Sequence, residues 1–141
     1  MTVTLSDEAR RHIVVFEDVT EATAVDCILD DEFDRVVYVV TEGEMGQAIG
    51  PDGARVSRLE EVVGRTVELV EDASTPEAFV ANALSPAAVH NVTISRNSDV
   101  VAYVEVDHDD TGVAIGTDGR NIRAAKRLAD RHFDIDDIQL T

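Results

Sequence analysis

Two glycine-rich turns are the segments of this chain best suited to binding chemistry. Gly50-Pro-Asp-Gly53 and Gly116-Thr-Asp-Gly119 lie 66 residues apart, and each follows a Gly-x-Ala-Ile segment. Paired glycines let a sugar-phosphate backbone approach the chain, and they permit positive φ. Each turn precedes an amphipathic stretch, whose helix would point free N–H groups and its positive dipole end toward an anion. The sequence therefore predicts one phosphate-binding turn in each half of the chain.

Apolar and basic side chains flank both turns. Isoleucine and valine on either side are expected to line a groove for bases, and arginines on the following helix are expected to reach phosphates. The predicted RNA-binding set is Ile49, Gly50, Pro51, Asp52, Gly53, Arg55, Val56 and Arg58 in the first half, and Ile115, Gly116, Thr117, Asp118, Gly119, Arg120, Ile122, Arg123, Lys126 and Arg127 in the second. Gly46 and Gly112, which precede the turns, are interpreted as close-packing residues outside this site.

Each turn also carries an acid, Asp52 in the first and Asp118 in the second. An aspartate at a helix start can cap free N–H groups, which stabilises a helix by about 1 kcal/mol. The same carboxylate could instead repel a phosphate. Both interpretations stay open from the sequence.

The elements around each turn are predicted to follow one order: helix, strand, strand, short helix, glycine turn, helix, strand. Helix starts are expected at Ser6-Asp7-Glu8 and at Thr75-Pro76-Glu77, where a capping residue precedes acids or proline. Apolar periodicity predicts helices over 54–63 and 120–133. Strands rich in β-branched residues are expected over 23–30, 35–41, 66–70, 91–96, 100–107 and 137–140.

The chain is strongly acidic except in one segment near its carboxyl end. The chain carries 29 acidic and 12 basic residues, for a net charge of −17, and Lys126 is its single lysine. Such an acidic surface is expected of a protein adapted to concentrated salt, where the Debye length falls to about 3 Å at 1 M and distant acids stop repelling an anion. Against this background residues 119–133 stand out, because they hold five basic residues and one acid. That helix is the predicted contact surface.

Several classes of site are not indicated. The single cysteine, Cys27, is expected to be a small buried residue, and the dispersed histidines predict no metal site and no cofactor. The chain lacks a phosphate loop with lysine and a nucleophile elbow, so no enzyme is predicted. No secretory signal or membrane span is evident, and a cytoplasmic location is expected.

The two turns and their surroundings resemble the KH family of RNA-binding modules. Over essentially its whole length the chain is similar to the archaeal counterpart of transcription factor NusA, which consists of two type II KH domains. The residues that carry this resemblance are Glu42-Gly43-Glu44-Met45-Gly46, the two Ala-Ile-Gly-x-Asp-Gly turns, Ala102-Tyr-Val-Glu-Val106 and Arg131-His-Phe-Asp-Ile-Asp-Asp137.

The resemblance implies an α+β fold of two tandem type II KH domains, residues 1–72 and 73–141, each a small mixed three-stranded sheet packed against helices. It also implies binding of single-stranded RNA in transcription termination or antitermination, with RNA polymerase as a partner. Two alternatives stay open. The chain could bind RNA on the ribosome instead of on a transcript. It could also be a protein-interaction adaptor of polymerase or ribosome with little RNA binding of its own, which would be consistent with its negative net charge.

Overall fold

The two halves of the chain fold into the same series of elements. In the computed structural model, which describes residues 3–141, residues 4–72 form one unit and residues 73–141 form another. The first unit contains α1 (Asp7–Thr20), β1 (Ala24–Asp30), β2 (Arg35–Val40), α2 (Met45–Ile49), α3 (Ala54–Val63) and β3 (Thr66–Glu71). The second contains α4 (Pro76–Ala83), β4 (Val89–Arg96), β5 (Val100–Val106), α5 (Thr111–Ile115), α6 (Arg120–Phe133) and β6 (Asp137–Leu140).

Local capping signals fix the helix starts. The Ser6 hydroxyl accepts a hydrogen bond from the Ala9 amide at 3.1 Å, and the Thr75 hydroxyl accepts one from the Ala78 amide at 3.3 Å. Both predicted starts are therefore confirmed, as are the predicted bounds of α3 and α6. The predicted bounds of β6 are also confirmed, whereas the other five strands differ from prediction by one or two residues at an end, as at β4, which begins at Val89.

The sheets explain where the glycine turns lie. In each unit the first two strands pair antiparallel, and the central strand, β2 or β5, pairs parallel with the last, β3 or β6. Parallel neighbours need a crossover connection. In the first unit that crossover is α2, the glycine turn and α3, so the turn is its midpoint; α5 and α6 repeat the arrangement. The fold thus presents each turn between two helix ends.

Each unit has its own hydrophobic core between sheet and helices. In the first, Phe16 of α1 stacks on Tyr38 of β2 with ring centroids 4.7 Å apart, and Leu59 of α3 is fully buried beside them. In the second, Ala129 of α6 packs with Ile138 of β6. Cys27 belongs to the first core, as predicted. Within residues 3–141, every helix is too short or too polar to cross a bilayer.

Candidate nucleic-acid interface

The two glycine turns adopt the same backbone conformation. Gly50 has φ 75° and ψ 173°, and Gly53 has φ 73° and ψ 17°. In the second unit Gly116 has φ 77° and ψ 169°, and Gly119 has φ 76° and ψ 14°. Two segments with different residues at the second position thus reach one geometry, so the shared glycines and aspartate specify the turn.

Two structural features explain why the first position of each turn is glycine. Its conformation is essentially restricted to glycine. In addition, a Cβ atom on Gly50 would lie 2.7 Å from Cγ of Arg55, and one on Gly116 would lie 2.7 Å from Cγ of Asn121. The space that these glycines leave is therefore filled by a side chain of the following helix.

That side chain fastens the following helix to the short one. Arg55 Nη1 donates to the Gln47 carbonyl at 3.0 Å, and Asn121 Nδ2 donates to the Val113 carbonyl at 2.9 Å. Arg55 also lies 3.6 Å from the Glu21 carboxylate. The guanidinium predicted to contact phosphate is thus engaged within its own unit. Asn121, missed in the sequence, is its structural counterpart.

A carboxylate at the start of each short helix provides a further anchor. Glu44 accepts from the Thr23 amide at 2.8 Å, and Asp110 accepts from the Ala88 amide at 2.8 Å. Each bond ties the start of the short helix to the approach to the first strand. Sequence reasoning missed this pair, although an acid at the same position of both repeats was a usable signal.

The aspartates of the turns have a different role from helix capping. The N-cap residues of α3 and α6 are Gly53 and Gly119, and neither helix has a side-chain capping bond. Asp52 and Asp118 instead adopt the left-handed conformation themselves, with φ 54° and 57°. Aspartate tolerates that region better than most residues. The capping interpretation is therefore wrong, and both exposed carboxylates belong to the turn surface.

Exposed apolar side chains border both turns. Ile49 is 38% exposed and Ile115 is 40% exposed, so both side chains are accessible to a ligand. Val56 and Ile122 are half-buried and rest against the two cores. Each unit therefore places an exposed isoleucine directly before its turn, with a fixed apolar residue on the helix that follows.

Matches to known proteins agree with this arrangement. Residues 10–74 match the family model of the KH domain, and residues 76–141 match that of the NusA-like second KH domain. Over all 141 residues, and over the full length of both chains, the protein is 70% identical to the "probable transcription termination protein NusA" of Halobacterium salinarum. The chain belongs to the NusA family. The predicted fold of two tandem KH domains is confirmed.

Other relatives extend the NusA likeness. A Halococcus morrhuae protein with the same name is 64% identical over 99% of each chain, and a Methanocaldococcus jannaschii protein is 32% identical over 98% of this chain and 75% of its own. The crystal structure of APE1850 superposes with a TM-score of 0.84 at 33% identity, covering 97% of this chain and all of that one. The relatives from Halobacterium and Halococcus agree with the salt-adapted composition.

The basic residues of this NusA family member are distributed unequally between its units. In the first, Arg58 lies 3.7 Å from the Glu61 carboxylate on the exposed face of α3. In the second, Arg120 Nε donates to the Thr117 carbonyl at 3.1 Å, so this side chain folds along the turn. Lys126 pairs with Asp137 at 3.1 Å. The Lys126 ammonium is thus directed toward β6.

Arg123 and Arg127 are exposed on α6. The aliphatic part of Arg123 passes the second glycine, because a Cβ atom on Gly119 would lie 3.6 Å from Arg123 Cδ. The positions in α3 that match Arg123 and Arg127 hold Ser57 and Glu61. The basic surface beside the turn is therefore a property of the second unit.

The packing interpretation of Gly46 and Gly112 is wrong. Both are exposed, and a Cβ atom on either would have no neighbour within 4 Å beyond the adjacent residues and the backbone of its own helix. Neither has a positive φ. The fold thus gives no internal reason for glycine at these two positions.

Metal ligands are not assembled in the part of the chain that the structure describes, where no group of three or more His, Cys, Asp or Glu side chains could hold an ion. One histidine–carboxylate pair joins His90 Nε2 and an Asp107 carboxylate oxygen at 3.3 Å. The pKa of Asp107 is held below its usual range, first by the Asp109 amide and then by His90.

Proposed function

We propose that this chain is an RNA-binding transcription termination or antitermination factor that holds single-stranded RNA on its two glycine turns. The observation that carries the proposal is the duplicated turn, with one backbone geometry in both units and an exposed isoleucine beside each copy. The names of its relatives support the role in transcription. The proposed role is binding without catalysis, in the cytoplasm, by two modules of residues 1–72 and 73–141.

The proposed contacts divide by chemistry. The glycine turns contact the RNA backbone, and the isoleucines contact bases. This is the way in which KH modules bind about four nucleotides. The proposed contact set is Ile49, Gly50, Pro51, Asp52, Gly53, Val56 and Arg58 in the first module, and Ile115, Gly116, Thr117, Asp118, Gly119, Arg120, Ile122, Arg123 and Arg127 in the second. Arg55 would contact RNA only after its hydrogen bond to the Gln47 carbonyl breaks, and Lys126 only after its ion pair with Asp137 breaks.

The second module is the proposed principal phosphate site. Its turn is followed by Arg120, Arg123 and Arg127, where the first module has Ala54, Ser57 and Glu61. Cations beside the turn add to backbone contacts that both modules share. The first module is therefore expected to bind RNA more weakly than the second.

Salt should weaken this binding only slightly. In molar KCl the Debye length is about 3 Å, so the distant acids of a chain with net charge −17 are screened, and counterion release contributes little. Backbone contacts and apolar packing remain. A steep loss of affinity between low and high salt would contradict this mode.

The exposed acids on the turns favour one alternative to RNA binding, in which the chain is a protein-interaction adaptor of RNA polymerase or of the ribosome. Asp52 and Asp118 are exposed where phosphate would approach. RNA polymerase is the proposed protein partner, and the ribosome is the alternative partner. Purification of tagged protein in high salt, followed by identification of bound polymerase or ribosomal subunits, separates the two partners.

The test of RNA binding uses Gly119→Asp with Gly64→Asp as its matched control. Gly64, the C-cap of α3, has φ 71° and ψ 22°, close to the values at Gly119, and no atom beyond its chain neighbours lies within 4 Å of its Cβ position. Both substitutions add one carboxylate and the strain of a left-handed aspartate, which costs at most about 1–2 kcal/mol. Both variants should therefore remain folded by circular dichroism.

Only Gly119→Asp should lose affinity for a fluorescent, randomised single-stranded RNA in 2 M KCl, by about tenfold or more, because its side chain occupies the path of the RNA backbone. Equal binding by both variants would remove the second turn from the site. If the wild-type chain binds no single-stranded RNA, the adaptor function replaces the proposed one.

A further inference from the structure

A groove lies between α1 and α3 of the first unit, apart from the glycine turn. It is lined by Arg11, His12 and Val15 of α1 and by Val62 and Val63 of α3, and its volume is about 240 Å³. Binding sites for small molecules are usually larger, at about 300–1,000 Å³. The groove therefore suits a few protruding side chains of a larger partner better than it suits a cofactor.

The valine floor of this groove has no counterpart in the second unit. Val62, in the last turn of α3, is 48% exposed. The positions of α6 that match Val62 and Val63 in the repeat hold Leu128 and Ala129, and both are buried. The first unit thus leaves apolar surface at a place where the second unit covers it.

Cationic side chains border the valines. Among the residues that the structure describes, no acid lines the groove, although the chain carries 29 acidic residues against 12 basic ones. Five of the six arginines of the first unit lie 3.0–3.7 Å from a carboxylate, and Arg11 is the one without such a partner in the described part of the chain. His12 is held against its own helix, because Nδ1 donates to the Glu8 carbonyl at 3.0 Å. The groove therefore complements a ligand that is both apolar and acidic.

The groove lies at the end of the helix pair that is remote from the glycine turn. α3 begins directly after Gly53, and Val62 and Val63 belong to its last turn, about 15 Å away along a helix of 10 residues. At the other end, beside the glycine turn, Arg55 of α3 meets Glu21, which follows α1, at 3.6 Å. The two helices therefore run antiparallel, and a ligand in the groove leaves the glycine turn accessible.

Two separate surfaces suit a factor that contacts both a transcript and the enzyme that makes it. The relatives of this chain are named transcription termination proteins, and the proposed function assigns RNA to the glycine turns. The floor of the groove offers bases no aromatic ring for stacking, since Val15, Val62 and Val63 are aliphatic. An amphipathic helix, in contrast, binds such a groove through its apolar face. A protein ligand is therefore favoured over RNA.

We propose that the groove between α1 and α3 is the docking site for an acidic amphipathic helix of RNA polymerase. Apolar side chains of that helix pack on Val15, Val62 and Val63, and its carboxylates pair with Arg11 and with the charged form of His12. This inference rests on the proposed function and names the surface through which the chain reaches its protein partner. One molecule then holds polymerase at the groove and RNA at its glycine turns.

The probe for this site is purified RNA polymerase of Halobacterium salinarum, the source of a relative that is 70% identical to this chain. The full chain, captured through a carboxyl-terminal tag, would be titrated with polymerase in 2 M KCl by biolayer interferometry. Val62→Glu and Arg11→Glu should each weaken binding by about tenfold or more, because the first places a carboxylate on the valine floor and the second replaces the cation. Arg11→Lys keeps the positive charge and should retain most of the affinity.

The matched controls are exposed residues of the second unit. Val113→Glu adds the same carboxylate at a helical valine that is 42% exposed, and Arg96→Glu reverses the charge of an exposed arginine at the end of β4. Both should change polymerase affinity by less than about twofold. Val62→Glu and Arg11→Glu should keep the circular dichroism of the wild type and its affinity for the randomised single-stranded RNA.

Each other outcome assigns the groove differently. Groove variants that bind polymerase as tightly as the wild type would overturn the inference, as would a wild-type chain that binds no polymerase, and RNA binding by the glycine turns would stand in both cases. Loss of RNA affinity in the groove variants would overturn it in favour of RNA. A wild-type dimer that the same substitutions dissociate would overturn it in favour of a second copy of the chain. Selective loss of polymerase binding, in a chain that binds no RNA, would support the docking site and replace the proposed function by the adaptor.

Discussion

Replacing Gly116 by alanine tests whether the first glycine of the turn is required by its own unit. Alanine at φ 77° and ψ 169° enters a region that only glycine populates, at a cost of about 1–3 kcal/mol. Its Cβ atom would lie 2.7 Å from both Cγ and Nδ2 of Asn121. The Asn121 side chain must then move and lose its 2.9 Å bond to the Val113 carbonyl, for a further 0.5–1.5 kcal/mol or so.

The free energy of unfolding of the second unit should therefore fall by about 2–4 kcal/mol. Gly119→Ala is the comparison, because its left-handed φ costs about 1–2 kcal/mol and its Cβ atom would meet nothing closer than 3.6 Å. The chain contains no tryptophan, so urea unfolding in 2 M KCl would be followed by circular dichroism.

A double-mutant cycle isolates the role of Asn121. Asn121→Ala removes both 2.7 Å contacts and leaves Cβ at 3.0 Å, so it should partly relieve the Gly116→Ala strain. The two substitutions together should then cost about 1 kcal/mol less than the sum of their separate effects. Additive effects, or a Gly116→Ala no more destabilising than Gly119→Ala, would refute the filled-space explanation of this glycine.

Further substitutions and titrations test single features of the units. Asp118→Asn keeps a residue suited to left-handed φ, so the free energy of unfolding should change by less than about 0.5 kcal/mol. Because the substitution removes a carboxylate, RNA affinity measured by fluorescence anisotropy should rise in low salt and stay unchanged in 2 M KCl, where charges are screened. Ser6→Ala removes the cap of α1 and should cost about 1 kcal/mol in urea unfolding without changing RNA affinity. Burial, with Asp26 and Glu8 nearby, raises the pKa of the Cys27 thiol to about 12, so a thiol reagent at pH 8 should label it only after unfolding; rapid labelling of the native chain would contradict this. Partial burial tends to raise the pKa of the Asp137 carboxyl, but hydrogen bonds, that of Lys126 foremost, hold this pKa below its usual range. The Asp137 carboxylate therefore contributes stability above its unfolded pKa, and this contribution is lost as pH falls through the folded pKa. In Lys126→Met, an NMR titration should show a higher pKa for Asp137 than in the wild type.

Much of the fold could be predicted because its signals are local. Ser6 and Thr75 mark helix starts through bonds to amides three residues away, and apolar spacing, with Gly64 just past the end of α3, predicted the bounds of α3 and α6. The duplicated turn was visible because the same glycines recur at one spacing. Strand ends were less well defined, since the first strand of each sheet carries a bulge that depends on its partner.

The sequence by itself determined that two KH-type units are present, that each has a glycine turn between two helices, and that basic residues concentrate after the second turn. Only the tertiary structure decided how individual side chains are used. Arg55 folds back onto the Gln47 carbonyl and Lys126 onto Asp137, whereas Asp52 shapes the turn and does not cap a helix. A side chain's direction depends on atoms from distant parts of its unit, which sequence spacing does not specify. The open space beside Gly46 and Gly112 belongs to the same class of fact, because the emptiness around a residue is visible only once its surroundings are in place.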